Sequence, residues 1–164
     1  MELYLIRHGI ATERGTETKD EERSLTDLGR KKTRQVASRL QKLGLRFDLI
    51  LTSPLVRSRQ TAEILRDSGL SSQIEESTYL SPDGDIHTRL RSWLEQWQPS
   101  GDNQLALVGH QPDLGQWAEI LVWGEAKEGL VLKKAGIIGL TLPQTGSPMG
   151  RSQLFWLTPP KFLL

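Results

Sequence analysis

Two histidines in this chain stand where apolar runs stop. Leu3–Ile6 leads into Arg7-His8-Gly9, and Leu105–Val108 leads into Gly109-His110. A third run, Phe47–Leu51, leads into Thr52-Ser53-Pro54, with Arg57 just beyond. Imidazole titrates near ~6.5, so a neutral ring nitrogen is available to attack at cellular pH. Guanidinium presents a planar fork of donors that matches phosphate oxygens. Histidine beside arginine therefore points to an anion, and to phosphoryl transfer onto His8 with Arg7, Arg57 and His110 holding the charge. The chain has no cysteine, so a thiolate nucleophile, a zinc–cysteine site and disulfides are excluded.

These residues need a scaffold that brings them to one edge. Strand-like runs alternate with amphipathic helical ones, which predicts an α/β fold: a three-layer α/β/α sandwich with a mainly parallel central sheet. In such sheets ligands bind beyond the carboxyl ends of the strands. The segment Ala11–Ser24 is polar and reads as a surface loop near His8. Thr26 reads as the N-cap of a helix whose inward face is Val36, Ala37, Leu40 and Leu43, closed by Gly44. Ser53 as N-cap and Pro54 at the first helical position predict a second helix, running to about Asp67 and placing Arg57 on its first turn.

Gln73–Glu76 is a candidate short strand, followed by a loop through Pro82, Asp83 and Gly84. Ile86, Leu90, Trp93, Leu94 and Trp97 share one helical face, and the tryptophans there read as packing residues rather than a ligand cage. After the strand Gln104–Val108, a helix starts at Pro112 with Leu114, Trp117, Ala118 and Leu121 inward. Leu130–Leu132, Gly136–Leu142 and Gln153–Leu157 read as strands of an antiparallel flank, and the tail from Pro159 to Leu164 carries no role.

With 164 residues, the chain fits one domain, residues 1–164, that can bury a core without disulfide or metal. A net charge of +1 argues against a general nucleic-acid binder. The run Arg30-Lys31-Lys32 is then a solvated helix face. No apolar run is long enough to span a bilayer, and the amino terminus lacks the pattern of a signal peptide. A cytoplasmic monomer is the expectation, with no membrane partner, no cofactor and no metal; the three histidines and scattered acids lack ligand spacing.

Arg7-His8-Gly9, the block from Thr52 to Glu63 and Gly109-His110-Gln111-Pro112-Asp113, in this order, resemble the histidine phosphatase superfamily, whose fold is phosphoglycerate mutase-like. The short length and the last motif resemble its SixA-type phosphohistidine phosphatase branch. The likeness runs from residue 2 to about residue 122. It implies that His8 is the phospho-accepting nucleophile and that Arg7, Arg57 and His110 bind the phosphoryl group. It also implies a further phosphate-binding arginine ahead of the first long helix, a place that Arg23 occupies here.

Larger members that cleave phosphate esters carry a mid-chain glutamate as general acid. The matching stretch, Leu80 to His87, has none; Asp83 or Asp85 would have to stand in, and Glu75 and Glu76 lie just upstream. An alkoxide is a poor leaving group and benefits from an acid, whereas imidazole, with a pKa near ~6.5, leaves readily. The expected substrate is therefore phosphohistidine in a protein, such as a phosphotransfer domain. A phosphatase of small phosphate monoesters is the enzymatic alternative, and a non-catalytic phosphate-recognition module the other. Ordinary roles fit the remaining candidates: Asp85 as the cap of the helix at Ile86, Arg59 and His87 as surface residues.

Overall fold

The structure, a computed structural model, describes residues 1–15, 19–83, 85–96 and 103–164. Trp97 and Gly84 lie outside the described residues. Six strands form one sheet: β1 (Glu2–Arg7), β2 (Leu49–Thr52), β3 (Ile74–Glu76), β4 (Gln104–Gly109), β5 (Ile137–Thr141) and β6 (Gln153–Thr158). Their spatial order is β3-β2-β4-β1-β5-β6. The first four run parallel, while β5 and β6 are antiparallel, as the turn-rich late sequence predicts.

Alternation along the central strands sorts side chains onto two faces. Leu3, Leu5, Leu105 and Leu107 point into one core with Leu90 and Trp93 of α3 (Ile86–Gln96) and Leu114, Trp117 and Leu121 of α4 (Asp113–Trp123). Tyr4, Ile6, Ala106 and Val108 point into the other, against Val36, Ala37 and Leu40 of α1 (Asp27–Lys42) and Ala62 and Leu65 of α2 (Val56–Asp67). Helices cover both faces, so β1 and β4 read as continuous apolar runs. Trp93 and Trp117 stack with ring centroids 5.7 Å apart. Truncating a core leucine such as Leu5 to alanine costs about 2–5 kcal/mol.

Several local expectations hold. Thr26 caps α1, its hydroxyl accepting from the Gly29 amide at 2.9 Å, and Asp85 accepts from the Thr88 amide at 2.8 Å. Others change. Leu43 is exposed, because α1 ends at Lys42 and the chain is already turning toward Gly44. Helix α2 begins at Val56 with Leu55 in the cap position, later than Ser53-Pro54 suggests. Leu130–Leu132 forms no strand; Leu132 is buried in the core from a loop. The tail has a packing role, since a 3-10 turn at Pro160–Phe162 carries Leu163 into the core beside α1. No helix among the described residues is long and apolar enough to cross a membrane.

Candidate active site

Strands β1 and β4 lie side by side in parallel register, with Arg7 paired to Gly109 and the His8 amide donating to the Gly109 carbonyl at 3.0 Å. The next residue on each strand is a histidine. Sheet geometry alone therefore sets His8 beside His110, ring centroids 5.2 Å apart and planes inclined by 56°. Both residues are buried, His8 at 6% exposure and His110 at 3%. Gly9 permits this enclosure, because a Cβ there would sit 2.4 Å from Thr33 Oγ1.

The His8 Nδ1 lies 2.7 Å from the Gly9 carbonyl oxygen. A carbonyl only accepts, so Nδ1 carries the hydrogen and Nε2 keeps a lone pair. Gly9 is itself pinned by its amide, which donates to Thr61 Oγ1 at 3.0 Å. His110 Nε2 is 2.8 Å from the Ser53 hydroxyl. That contact explains the late start of α2: Ser53 Oγ serves His110 and accepts the Leu55 amide at 3.3 Å rather than capping the helix.

Arg7, His8, Arg23, Arg57 and His110 all line one cleft of about 350 Å³. Arg7 Nη1 donates to the Leu132 carbonyl at 3.1 Å, so the core-bound loop aims this guanidinium. Arg57 is 2% exposed; its Nη1 donates to the Asp20 carbonyl at 2.7 Å and its Nη2 lies 3.3 Å from Asp20 Oδ2. Arg23 is buried: its Nε meets Asp20 Oδ1 at 2.9 Å and its Nη1 donates to the Thr12 carbonyl at 2.6 Å. Arg7 Nε, Arg57 Nε and His110 Nδ1 are buried without a protein partner.

Loss of water is the main reason the histidines are hard to protonate. It holds His8 at about 2, with His110, Arg57 and Arg7 adding to the effect against the Gly9 carbonyl. It holds His110 at about 3, with Arg57 the next contributor. Both rings are neutral at pH 7. Partial burial alone would raise the Asp20 carboxyl, but Arg57 and Arg23 hold it below the ordinary carboxylate range.

Sequence reasoning misses several neighbours. Glu13, Arg14 and Lys134 line the same cleft, and Asp20 bridges Arg23 and Arg57 from the adjoining one. Only a clustering of charge in the 13–23 loop hints at the first group, and Lys134 lies far along the chain. Neither Asp83 nor Asp85 is among the described residues lining the cleft; of the described residues of that loop, Pro82 reaches it. Asp85 is exposed and occupied as a cap, His87 is exposed, and Arg59 pairs with Glu76 at 3.7 Å on the surface.

Known proteins resemble this chain in sequence and fold. Residues 3–80 match the sequence profile of the histidine phosphatase superfamily, branch 1. An uncharacterized protein of Picosynechococcus sp. is 49% identical over 168 residues, covering 100% of this chain and 99% of that protein. The phosphohistidine phosphatase SixA of Escherichia coli is 27% identical over 148 residues, covering 90% of this chain and 89% of that protein. The solved structure of the protein histidine phosphatase SixA complexed with tungstate superposes with a TM-score of 0.84 at 26% identity, covering 100% of both chains. The three-layer fold with its parallel sheet and antiparallel flank is that of these proteins. On fold and sequence together, the chain resembles the histidine phosphatase superfamily and is a phosphatase by class.

Proposed function

We propose that the protein hydrolyses phosphohistidine in other proteins through a covalent phosphoryl intermediate on His8. The observation that carries this reading is the 2.7 Å contact from His8 Nδ1 to the Gly9 carbonyl, which fixes the tautomer and leaves Nε2 unprotonated in the cleft. The Nε2 lone pair attacks phosphorus as the substrate's N–P bond breaks. The leaving imidazole takes that electron pair and a proton from solvent water. Water then attacks the phosphoryl group, the P–Nε2 bond breaks, and inorganic phosphate departs. Arg7, Arg57 and Arg23, with the His110 ring, hold the equatorial oxygens while charge shifts among them, work that fixed donors accomplish without a metal or cofactor.

Two features support a phosphohistidine substrate in the cytoplasm, presented by a phosphotransfer domain or similar protein. The mid-chain stretch supplies no carboxyl to the cleft, so an easily departing imidazole suits it better than an alkoxide. The likeness to SixA extends over the whole chain. One observation favours a small phosphate monoester instead: Glu13 lines the cleft and is a carboxyl on the correct side of the molecule to protonate an oxygen.

Rapid alkaline quench, which preserves the N–P bond, with substrate labelled on phosphorus tests the reading. Wild type should accumulate label on His8 within one turnover, and His8→Ala should accumulate none. A phosphohistidine peptide should be preferred over its phosphoserine counterpart and over small monoesters in kcat/KM. Label on another residue, or a preference for phosphoserine, would overturn the proposal.

A further inference from the structure

Behind the strand end lies a second cleft, of about 470 Å³, whose wall shares Arg7 and Lys134 with the first. Lys32 of α1 and Lys133 complete its charged lining. Two of these lysines sit on a turn welded to β1. The Ala135 amide donates to both the Arg7 and His8 carbonyls, at 3.0 and 3.2 Å, and the Gly136 amide donates to the Lys133 carbonyl at 2.8 Å. Ala135 is held at φ 61°, a conformation that persists only where its surroundings fix it. The lysines at 133 and 134 are thus carried on a rigid ledge, not on a loose loop.

Among the described residues, the charge on this ledge is uncompensated. Asp20 neutralises the arginine side of the site, lying within 4 Å of Arg14, Arg23 and Arg57. Among the described residues, Lys32, Lys133 and Lys134 form no ion pair. Lost water, with Arg7 and Arg23 nearby, holds the Lys134 ammonium below its ordinary value. A field of one sign focused along a cleft raises the local concentration of anions.

We propose that this ledge is a subsite for a second anionic group, a carboxylate or a phosphate, on the leaving group of the substrate whose phosphoryl sits between His8 and His110. The proposal rests on the phosphatase reading for the first cleft and adds what the leaving group must carry. Lys134 stands at the corner where the two clefts meet, and Lys32 and Lys133 receive the anion beyond it.

Calorimetric binding of non-hydrolysable phosphonates tests the subsite without requiring turnover. The probes are a phosphonate peptide flanked by two aspartates, its asparagine twin, and a small bisphosphonate with its monophosphonate counterpart. Wild type should bind at least one doubly anionic probe about tenfold more tightly than its partner at low salt. High salt should erase the difference, because exposed charges are screened. Lys32→Gln/Lys133→Gln should erase it too, while binding the singly anionic probes as wild type does. Gain with the peptide alone would place the second anion on a protein, and gain with the bisphosphonate alone on a small molecule; either supports the subsite. Equal binding within both pairs, or a preference unchanged in the double variant, would overturn it. Hydrolysis of phosphohistidine peptides by the same samples reports separately on the reaction.

Discussion

Thr61 ties the backbone at His8 to the backbone at Arg57. Its hydroxyl accepts from the Gly9 amide at 3.0 Å and donates to the Arg57 carbonyl at 2.8 Å. Gly9 also supplies the carbonyl that orients the His8 ring, so one buried hydroxyl links the support of the proposed nucleophile to the helix that carries Arg57.

Thr61→Val keeps the shape of the side chain and strands the Gly9 amide. We expect a stability loss of about 1–3 kcal/mol, the usual cost of a buried unsatisfied donor. We also expect kcat to fall more than KM rises, because the ring moves relative to phosphorus. Thr61→Ser should recover most of both. Chemical denaturation and steady-state kinetics on the three proteins provide the check.

Arg57 is nearly inaccessible and already aimed by Asp20, so replacing it with lysine removes the fork but keeps the charge. Loss of such a fixed donor typically costs about 10²- to 10³-fold in turnover. Arg57→Lys should fall in that range with the fold intact by circular dichroism. Activity within a few-fold of wild type would remove Arg57 from the phosphoryl site.

Asp20 pairs with Arg23 and Arg57, the guanidinium groups proposed to hold phosphate. Neutralising it as Asp20→Asn should lower the inhibition constant for inorganic phosphate severalfold, an effect that shrinks with added salt. Weaker inhibition would instead make Asp20 an organiser of the arginines.

Acid should destabilise the protein through its paired histidines. In the folded state His8 and His110 stay neutral down to about 2 and about 3. In the unfolded chain they titrate near ~6.5, so the unfolded state binds more protons between those limits. Their contribution is complete above about pH 6.5 and is lost as pH falls, by up to about 1.4 kcal/mol per pH unit for each ring. Thermal melts of His8→Asn/His110→Asn should show a shallower slope than wild type between pH 7 and pH 4.5. Parallel slopes would contradict the assigned protonation.

Gly29 offers a steric test from the far side of the site. A Cβ on this α1 residue would lie 2.1 Å from the Ile10 carbonyl oxygen, two residues beyond His8. Gly29→Ala must displace the Ile10 backbone, and overpacking of this kind costs about 1–3 kcal/mol. Activity should drop along with stability, as read by melting temperature and kcat.

The sequence reveals the parts of the site that local pattern encodes. An apolar run ending in Arg7-His8-Gly9 is a strand end with chemistry on it, and Gly109-His110 repeats the device. Neighbouring register then follows from fold class. Arg23 needed coordinates, because its burial depends on Asp20 and on the Thr12 carbonyl, partners a mixed-charge loop does not announce. Ser53 misleads for a related reason: capping chemistry predicts one use of its hydroxyl, and a histidine 57 residues away claims it. Lys134 has no local signature, since its position depends on the Ala135 amide bonding to the end of β1.

Adjacent parallel strands sit ~4.8 Å apart in any sheet. Because His8 and His110 follow directly from the paired residues Arg7 and Gly109, the gap between the rings derives from that repeat rather than from the loops. The rim segments can therefore diversify, lengthen or change charge while the spacing between the two rings stays constant. Selectivity and reactivity are built on separate parts of the chain, and evolution can rewrite the first without retuning the second.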